Sequence, residues 1–99
     1  MELLEEIKVI LRITTNAFDN ELIMLINSCK IDLNLAGVNI INENDDRIRN
    51  AICLYCKANF GYRDDSQKFQ NAYISLRDSM ALSSKYKEIN NEWYLSLPY

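Results

Sequence analysis

The sequence predicts an all-α protein, a small four-helix domain with an extended C-terminal tail. Apolar residues recur at three- and four-residue spacing in four separate segments, which is the pattern of helices with one buried face. The 99-residue chain contains only two glycines and one proline, so few residues interrupt these segments. Its length fits a single domain. We therefore predict a helical domain over residues 1–82 and a tail over residues 83–99.

The first helix is predicted over residues 2–12, where one apolar stripe consists of Leu3, Leu4, Ile7, Ile10 and Leu11. Asn16 is the predicted N-cap of the second helix, which spans residues 17–36 and ends at Gly37 as the C′ residue. The inward stripe of this helix is Phe18, Leu22, Leu25, Ile26, Cys29, Leu33 and Ala36.

The second helix also has apolar residues off its inward stripe, namely Ile23, Met24, Ile31 and Leu35. A helix that is apolar on more than one face is either central in its domain or covered on its second side by a partner. A 99-residue chain also buries a smaller fraction of its surface on folding than a larger chain does. These four residues are therefore candidate partner-binding residues.

The rest of the domain contains a short strand-like segment, Val38 to Glu43, and two further helices. The acidic start Asn44-Asp45-Asp46 favours the third helix, which runs to Phe60 and ends at Gly61. Its predicted inward residues are Ile48, Ala51, Ile52, Tyr55 and Cys56. Asp64 is the predicted N-cap of the fourth helix, with Gln67 in the capping-box position. That helix ends near Leu82, and its apolar positions are Phe69, Ala72, Tyr73, Leu76 and Met80.

The composition argues against catalysis and against ordinary nucleic-acid binding. The chain has no histidine, and two distant glycines cannot form a phosphate-binding loop, so we expect no enzyme and no cofactor. The net charge is −3, whereas phosphate binding needs concentrated Lys and Arg. A helix-turn-helix interpretation is weakened because the third helix begins with two aspartates, but Arg47 and Arg49 leave it open.

Cys53 and Cys56 form a C-x-x-C pattern that could indicate a redox or metal site. A structural zinc site needs four nitrogen or sulfur ligands, and the chain adds only Cys29 to this pair. The two thiols lie three residues apart within a predicted helix, so we interpret them as core residues. The acid pairs 45–46 and 64–65 are interpreted as helix caps, because no calcium-loop spacing surrounds them.

The N-terminal residues, MELLEEIKVILRI, carry acids where a secretory signal needs positive charge. No segment reaches the roughly 18 apolar residues of a membrane span. We therefore expect synthesis in a reducing cytoplasm, free thiols and no membrane partner.

The tail is rich in aromatic residues and includes Trp93, Tyr94, Leu95 and Tyr99. One interpretation is that it folds back over the helices, as a terminus does when it is tied down. The other is an arm that docks on another subunit, since Trp and Tyr are enriched at interface hot spots. The residues of the tail do not decide between the two.

The layout of the chain resembles the small head–tail connector (adaptor) proteins of long-tailed double-stranded DNA bacteriophages. The resemblance covers residues 3–80 and rests on these segments: Leu11-Arg12-Ile13, Phe18 to Ile23, the long apolar helix ending at Gly37, Asp46 to Ile52, and Tyr62-Arg63-Asp64.

The resemblance implies a structural virion protein, made in the host cytoplasm, that lies at the head–tail junction. It would form a ring, dodecameric in the virion, that contacts the portal protein and tail-completion proteins. DNA would pass through its channel without sequence-specific binding. The predicted contact residues are Ile23, Met24, Ile31, Leu35, Trp93, Tyr94, Leu95 and Tyr99. The alternatives are a small helical regulator that binds a host protein or DNA, and a redox or metal protein built on Cys53 and Cys56.

Overall fold

Helices make up most of this computed structural model, which describes residues 2–62 and 64–87. In these ranges the elements are α1 (Leu3–Leu11), α2 (Asp19–Ala36), α3 (Asp46–Asn59), α4 (Ser66–Ala81) and a 3-10 turn at Ser84–Tyr86. The described ranges contain no β-strand. The predicted all-α, four-helix fold is confirmed.

The third helix is the centre of the fold, because α3 packs more extensively than any other helix against the rest of the described chain, namely α1, α2 and α4. Four of its five predicted inward residues, Ile48, Ala51, Ile52 and Cys56, are completely buried. Tyr55 is half-buried, with its ring edge-on to Tyr73 of α4. The remaining core residues are Leu3, Ile7, Leu22, Ile26, Cys29, Leu33, Val38, Cys53, Tyr73, Met80 and Tyr86.

The turn between α1 and α2 differs from the prediction. Arg12 adopts a left-handed conformation (φ 61°) that ends α1, and its amide donates to the carbonyl of Val9 at 3.1 Å. The predicted N-cap at Asn16 is wrong: α2 begins at Asp19, with Phe18 in the cap position. The Asn16 side chain instead accepts a hydrogen bond from the Lys8 ammonium at 2.7 Å. A tertiary contact has therefore taken the oxygen that a cap would use.

Gly37 ends α2 as predicted, with a φ of 109°. The Val38 amide donates to the carbonyl of Leu33 at 2.9 Å, which closes the helix end in the Schellman pattern. The strand-like interpretation of Val38 to Glu43 is wrong. Within the described chain no strand pairs with this segment; the amides of Asn39 and Ile40 both donate to the carbonyl of Tyr86, at 2.8 and 3.0 Å.

Of the predicted N-caps of α3 and α4, one is confirmed and the other is wrong. Asp45 caps α3 as predicted, because its carboxylate accepts from the amides of Arg47 at 2.8 Å and Ile48 at 3.4 Å. The predicted cap at Asp64 is wrong, since Asp65 occupies the cap position of α4. The Gln67 side chain is not part of a capping box and donates to Asn71 at 2.8 Å.

Two residues predicted to face inward lie at the surface. Ala72 of α4 is exposed. The Phe18 side chain is 43% exposed and packs edge-on against Phe60, with ring centroids 5.5 Å apart. Both residues lie at the margins of their helical stripes, where spacing does not determine burial.

The packed part of the chain continues beyond α4. Tyr86 is 2% exposed, and the Lys87 ammonium donates to the carbonyl of Gly37 at 2.5 Å. Residues 83–87, which the sequence assigned to the tail, therefore pack against the end of α2. The predicted extended conformation of the rest of the tail concerns residues 88–99, which lie outside the described residues. No helix in the described ranges is both long and apolar enough to cross a membrane.

Candidate partner-binding surface

The second helix, α2, has apolar side chains on two opposite faces. Leu22, Cys29 and Leu33 are completely buried, whereas Met24 is 69%, Ile31 61% and Leu35 81% exposed. At 100° per residue these last three side chains project within about 40° of one another. We call Met24, Ile31 and Leu35 the outer stripe; it lies opposite the face that packs on α3 and α4.

The structure places the four predicted contact residues of α2 at the surface. Ile23, which is 43% exposed, projects about a quarter of a turn away from the outer stripe. Their role in binding a partner stays a prediction. The other four predicted contact residues, Trp93, Tyr94, Leu95 and Tyr99, lie outside the described residues.

The residues around the outer stripe are largely uncharged. Asn20, Asn27 and Ser28 are exposed on the same side of α2. The charged residues Glu21 and Asp32 lie along one flank, about 60° and 80° from Met24 around the helix. Burying this surface against a partner would desolvate amides and a hydroxyl but no full charge along the stripe itself, which keeps the cost of burial low.

A polar link between α2 and α4 fixes the rotation of α2. The Tyr73 hydroxyl donates to the Asp32 carboxylate at 2.6 Å, and the Arg77 guanidinium donates to the same oxygen at 3.1 Å. The Cys29 thiol lies 3.8 Å from the Tyr73 hydroxyl. Burial raises the pKa of Tyr73 far above its ordinary value, so its phenol stays protonated and remains a donor. With Asp32 held in this way, the outer stripe must face away from the domain.

A second link, which the spacing of apolar residues did not predict, joins α1 to the start of α2. Lys8 is 5% exposed, and its ammonium lies 2.9 Å from the Asp19 carboxylate and 2.7 Å from the Asn16 side-chain oxygen. A signal was present: Lys8 falls four residues after Leu4 and three before Leu11, within the apolar stripe of α1. A buried lysine of this kind requires an acidic partner.

A groove with a volume of about 610 Å³ lies between α1 and the start of α3. Its walls combine an apolar part, Val9 and Ile10, with polar and charged groups. Arg49 and Glu6, which form an ion pair, both line it. The groove was not predicted, because it forms between residues far apart in the sequence.

The three cysteines are free thiols in the core, as predicted for Cys53 and Cys56. Burial raises the pKa of Cys29 and of Cys56 to about 12, and it also raises that of Cys53. Because the thiolate is the reactive form, these side chains are unreactive near neutral pH. In the part of the chain that the structure describes, no group of three or more Cys, Asp or Glu side chains is placed to hold a metal ion.

The arginines that kept a helix-turn-helix interpretation open make contacts within the protein. Arg47 donates to the Ser79 hydroxyl at 3.3 Å. Arg49 donates to the carbonyl of Glu43 at 2.9 Å and pairs with Glu6. Presenting either side chain to a base edge would require these contacts to break, which further weakens this interpretation.

Comparison with known protein families gave a match. A family model described as "Phage connector protein" matches residues 3–87. This range spans all four helices and the 3-10 turn, and it includes the outer stripe but not Trp93, Tyr94, Leu95 or Tyr99. No curated protein and no solved structure matches the chain.

Proposed function

We propose a ring-forming structural role for this chain, which belongs to the phage connector protein family. Membership gives it a connector role between phage head and tail. The proposal adds that copies form a ring, dodecameric in the virion, beneath the portal protein at the head–tail junction. Tail-completion proteins would bind the other side of the ring, and the chain would act without catalysis.

The outer stripe of α2 is the observation that carries the ring proposal. Single exposed apolar residues are common on soluble proteins. Here Met24, Ile31 and Leu35 follow one line along a helix, and each is more than 60% exposed. Burying a side chain of this type contributes about 1.5–3 kcal/mol. Contacts along this line would therefore stabilise an association between subunits.

The charge of the protein supports a channel through which DNA passes without sequence-specific binding. The net charge is −3, so repulsion would oppose strong binding to phosphates. The hydrogen bond of Arg47 to Ser79 and the ion pair of Arg49 with Glu6 agree with this.

Light scattering can test the proposal on the full chain, with and without its cognate portal protein. We expect the wild-type chain to bind the portal in a complex whose mass corresponds to a ring of subunits added to the portal. An Ile31→Gln/Leu35→Gln double variant should weaken assembly by at least about a hundredfold, because each substitution removes an apolar contact worth about tenfold or more.

Leu82→Gln is the matched control, because Leu82 is 90% exposed but lies outside the outer stripe. This variant should assemble as the wild type does. A wild-type chain that stays monomeric at every concentration and does not bind the portal would refute the proposed function.

A further inference from the structure

The described chain ends at the C-terminal end of α2, the helix that carries the outer stripe. The carbonyl of Tyr86 accepts hydrogen bonds from the amides of Asn39 and Ile40, and Lys87 donates to the carbonyl of Gly37. These contacts fix residue 87 at the C-terminal end of α2, close in sequence to the exposed Leu35. The last twelve residues, 88–99, continue from this point.

From this starting point, and given the ring proposed above, we infer that residues 88–99 of one copy bind the outer stripe of α2 in a neighbouring copy. The segment would supply the aromatic anchors and the outer stripe the apolar surface that receives them. The inference names the occupant of the outer stripe and therefore deepens the proposed function.

The composition of the segment matches the surface. Its apolar residues are Ile89, Trp93, Tyr94, Leu95, Leu97 and Tyr99, and it contains no lysine or arginine. Its two acids, Glu88 and Glu92, both precede Trp93, so the last seven residues carry no charged side chain. Aromatic and apolar side chains of the segment and the apolar side chains of the outer stripe can therefore bury each other without desolvating a charged side chain.

The length of the segment is sufficient. The outer stripe runs from Met24 to Leu35, eleven steps along the helix, or about 16 Å at 1.5 Å per residue. Twelve extended residues reach about 40 Å at 3.3 Å per residue. The segment can therefore cover the outer stripe and still bridge a gap between two subunits.

Ring symmetry favours a neighbouring copy over the same copy. A ring of more than two subunits needs two different surfaces on each subunit, one that contacts the next copy and one that receives the previous copy. The outer stripe is one such surface. Residues 88–99 are chemically complementary to it and distinct from it, as a head-to-tail contact requires.

Trp93 is the only tryptophan, so the intrinsic fluorescence of the full chain reports on this segment directly. Acrylamide quenching should be measured over a concentration series, with light scattering on the same samples and cognate portal added to a parallel series. We expect Trp93 to be quenched readily in the monomer and protected as assembly proceeds. Ile31→Gln/Leu35→Gln should remove the protection, and Leu82→Gln should keep it.

Three results would overturn the inference. Assembly with Trp93 still fully quenched would refute the docking of the segment while leaving the proposed ring intact. Protection of Trp93 in the monomer, independent of concentration, would show that the segment covers its own chain. Absence of assembly with and without portal would refute the ring, and the inference with it.

Discussion

At Gly37 the backbone conformation favours glycine, and a larger residue would also have to displace the end of the Lys87 side chain. The φ of Gly37 is 109°, and a Cβ atom there would lie 2.7 Å from the Lys87 ammonium. We expect Gly37→Ala to lower the free energy of unfolding by about 1–3 kcal/mol, because it strains the backbone and displaces Lys87. Urea denaturation measures this loss.

Gly61→Ala is the control for this prediction. Gly61 also has a positive φ, 65°, but none of the described residues lies within 4 Å of a Cβ built there. The Gly61→Ala substitution should therefore lower the free energy of unfolding only by the cost of placing alanine in a left-handed conformation, about 1 kcal/mol. Equal losses in the two variants would show that the contact between Gly37 and Lys87 does not matter for stability.

Tyr73 joins two helices through a single hydroxyl group. We expect Tyr73→Phe to lower the free energy of unfolding by about 1–2 kcal/mol, since it removes the 2.6 Å hydrogen bond to Asp32. Tyr55→Phe is the control, because the neighbouring Tyr55 has ring packing but no hydroxyl hydrogen bond within the described residues. Thermal or urea unfolding of both variants measures the difference, and an equal effect would contradict this account of the link.

Asp45 makes stability depend on pH. Desolvation works to raise its pKa, but hydrogen bonds from Lys85 and from the amides of Arg47 and Ile48 outweigh it and lower the pKa below 3.8. The stabilising contribution is therefore present above this ordinary value and is lost as the pH falls through the lower, folded-state pKa.

Asp45→Asn should isolate the charge, because asparagine is also a good N-cap residue. We expect the variant to be less stable than the wild type at pH 7, by about 0.5–1 kcal/mol. The difference should shrink as the pH falls below about 4. Urea denaturation from pH 7 to pH 2.5 tests this, and a difference that does not change with pH would contradict the role of the charge.

At the scale of the element, α2 is a helix with one buried and one exposed apolar face. We expect Leu33→Ala, on the buried face, to lower the free energy of unfolding by about 2–5 kcal/mol. Leu35→Gln, two residues away on the outer stripe, should change it by less than about 0.5 kcal/mol. Urea denaturation of the monomer compares them, and a large loss in Leu35→Gln would mean that the outer stripe belongs to the core.

The spacing of apolar residues predicted the helices well, because burial of one face decides where a helix forms. It also identified Ile31 and Leu35 as off the inward stripe of α2, and both are exposed. Local spacing could not predict that Asn16 would bind Lys8 instead of capping α2, since that contact depends on how α1 packs.

The same limit applies to the other corrections. Val38 to Glu43 has residues typical of a strand, but in the described chain its neighbour is the 3-10 turn that contains Tyr86, not another strand. The burial of Tyr86 depends on residues nearly 50 positions earlier, so no local pattern could indicate it. For the candidate surface, helical spacing places Met24, Ile31 and Leu35 on one line, and the fold determined that this line is exposed.

At the scale of the whole molecule, the core is built around α3, and the apolar outer stripe of α2 is exposed. The buried residues form one cluster that includes side chains from all four helices and from Tyr86. A small domain exposes a large share of its surface, and further burial requires other subunits. The family to which the chain belongs and the outer stripe both agree with a protein that is completed by assembly.

Hydroxyl-radical footprinting of Met24 tests the central claim most directly, because it measures the solvent exposure of the outer stripe without a substitution. Met24 is 69% exposed, whereas Met80 is completely buried and serves as the internal control. Oxidation should be measured by mass spectrometry in the free chain and in the complex with the cognate portal. We expect Met24 to be oxidised in the free chain and protected in the complex, with Met80 protected in both. Equal oxidation of Met24 in the free chain and in the assembled ring would contradict the claim that α2 forms the contact between subunits.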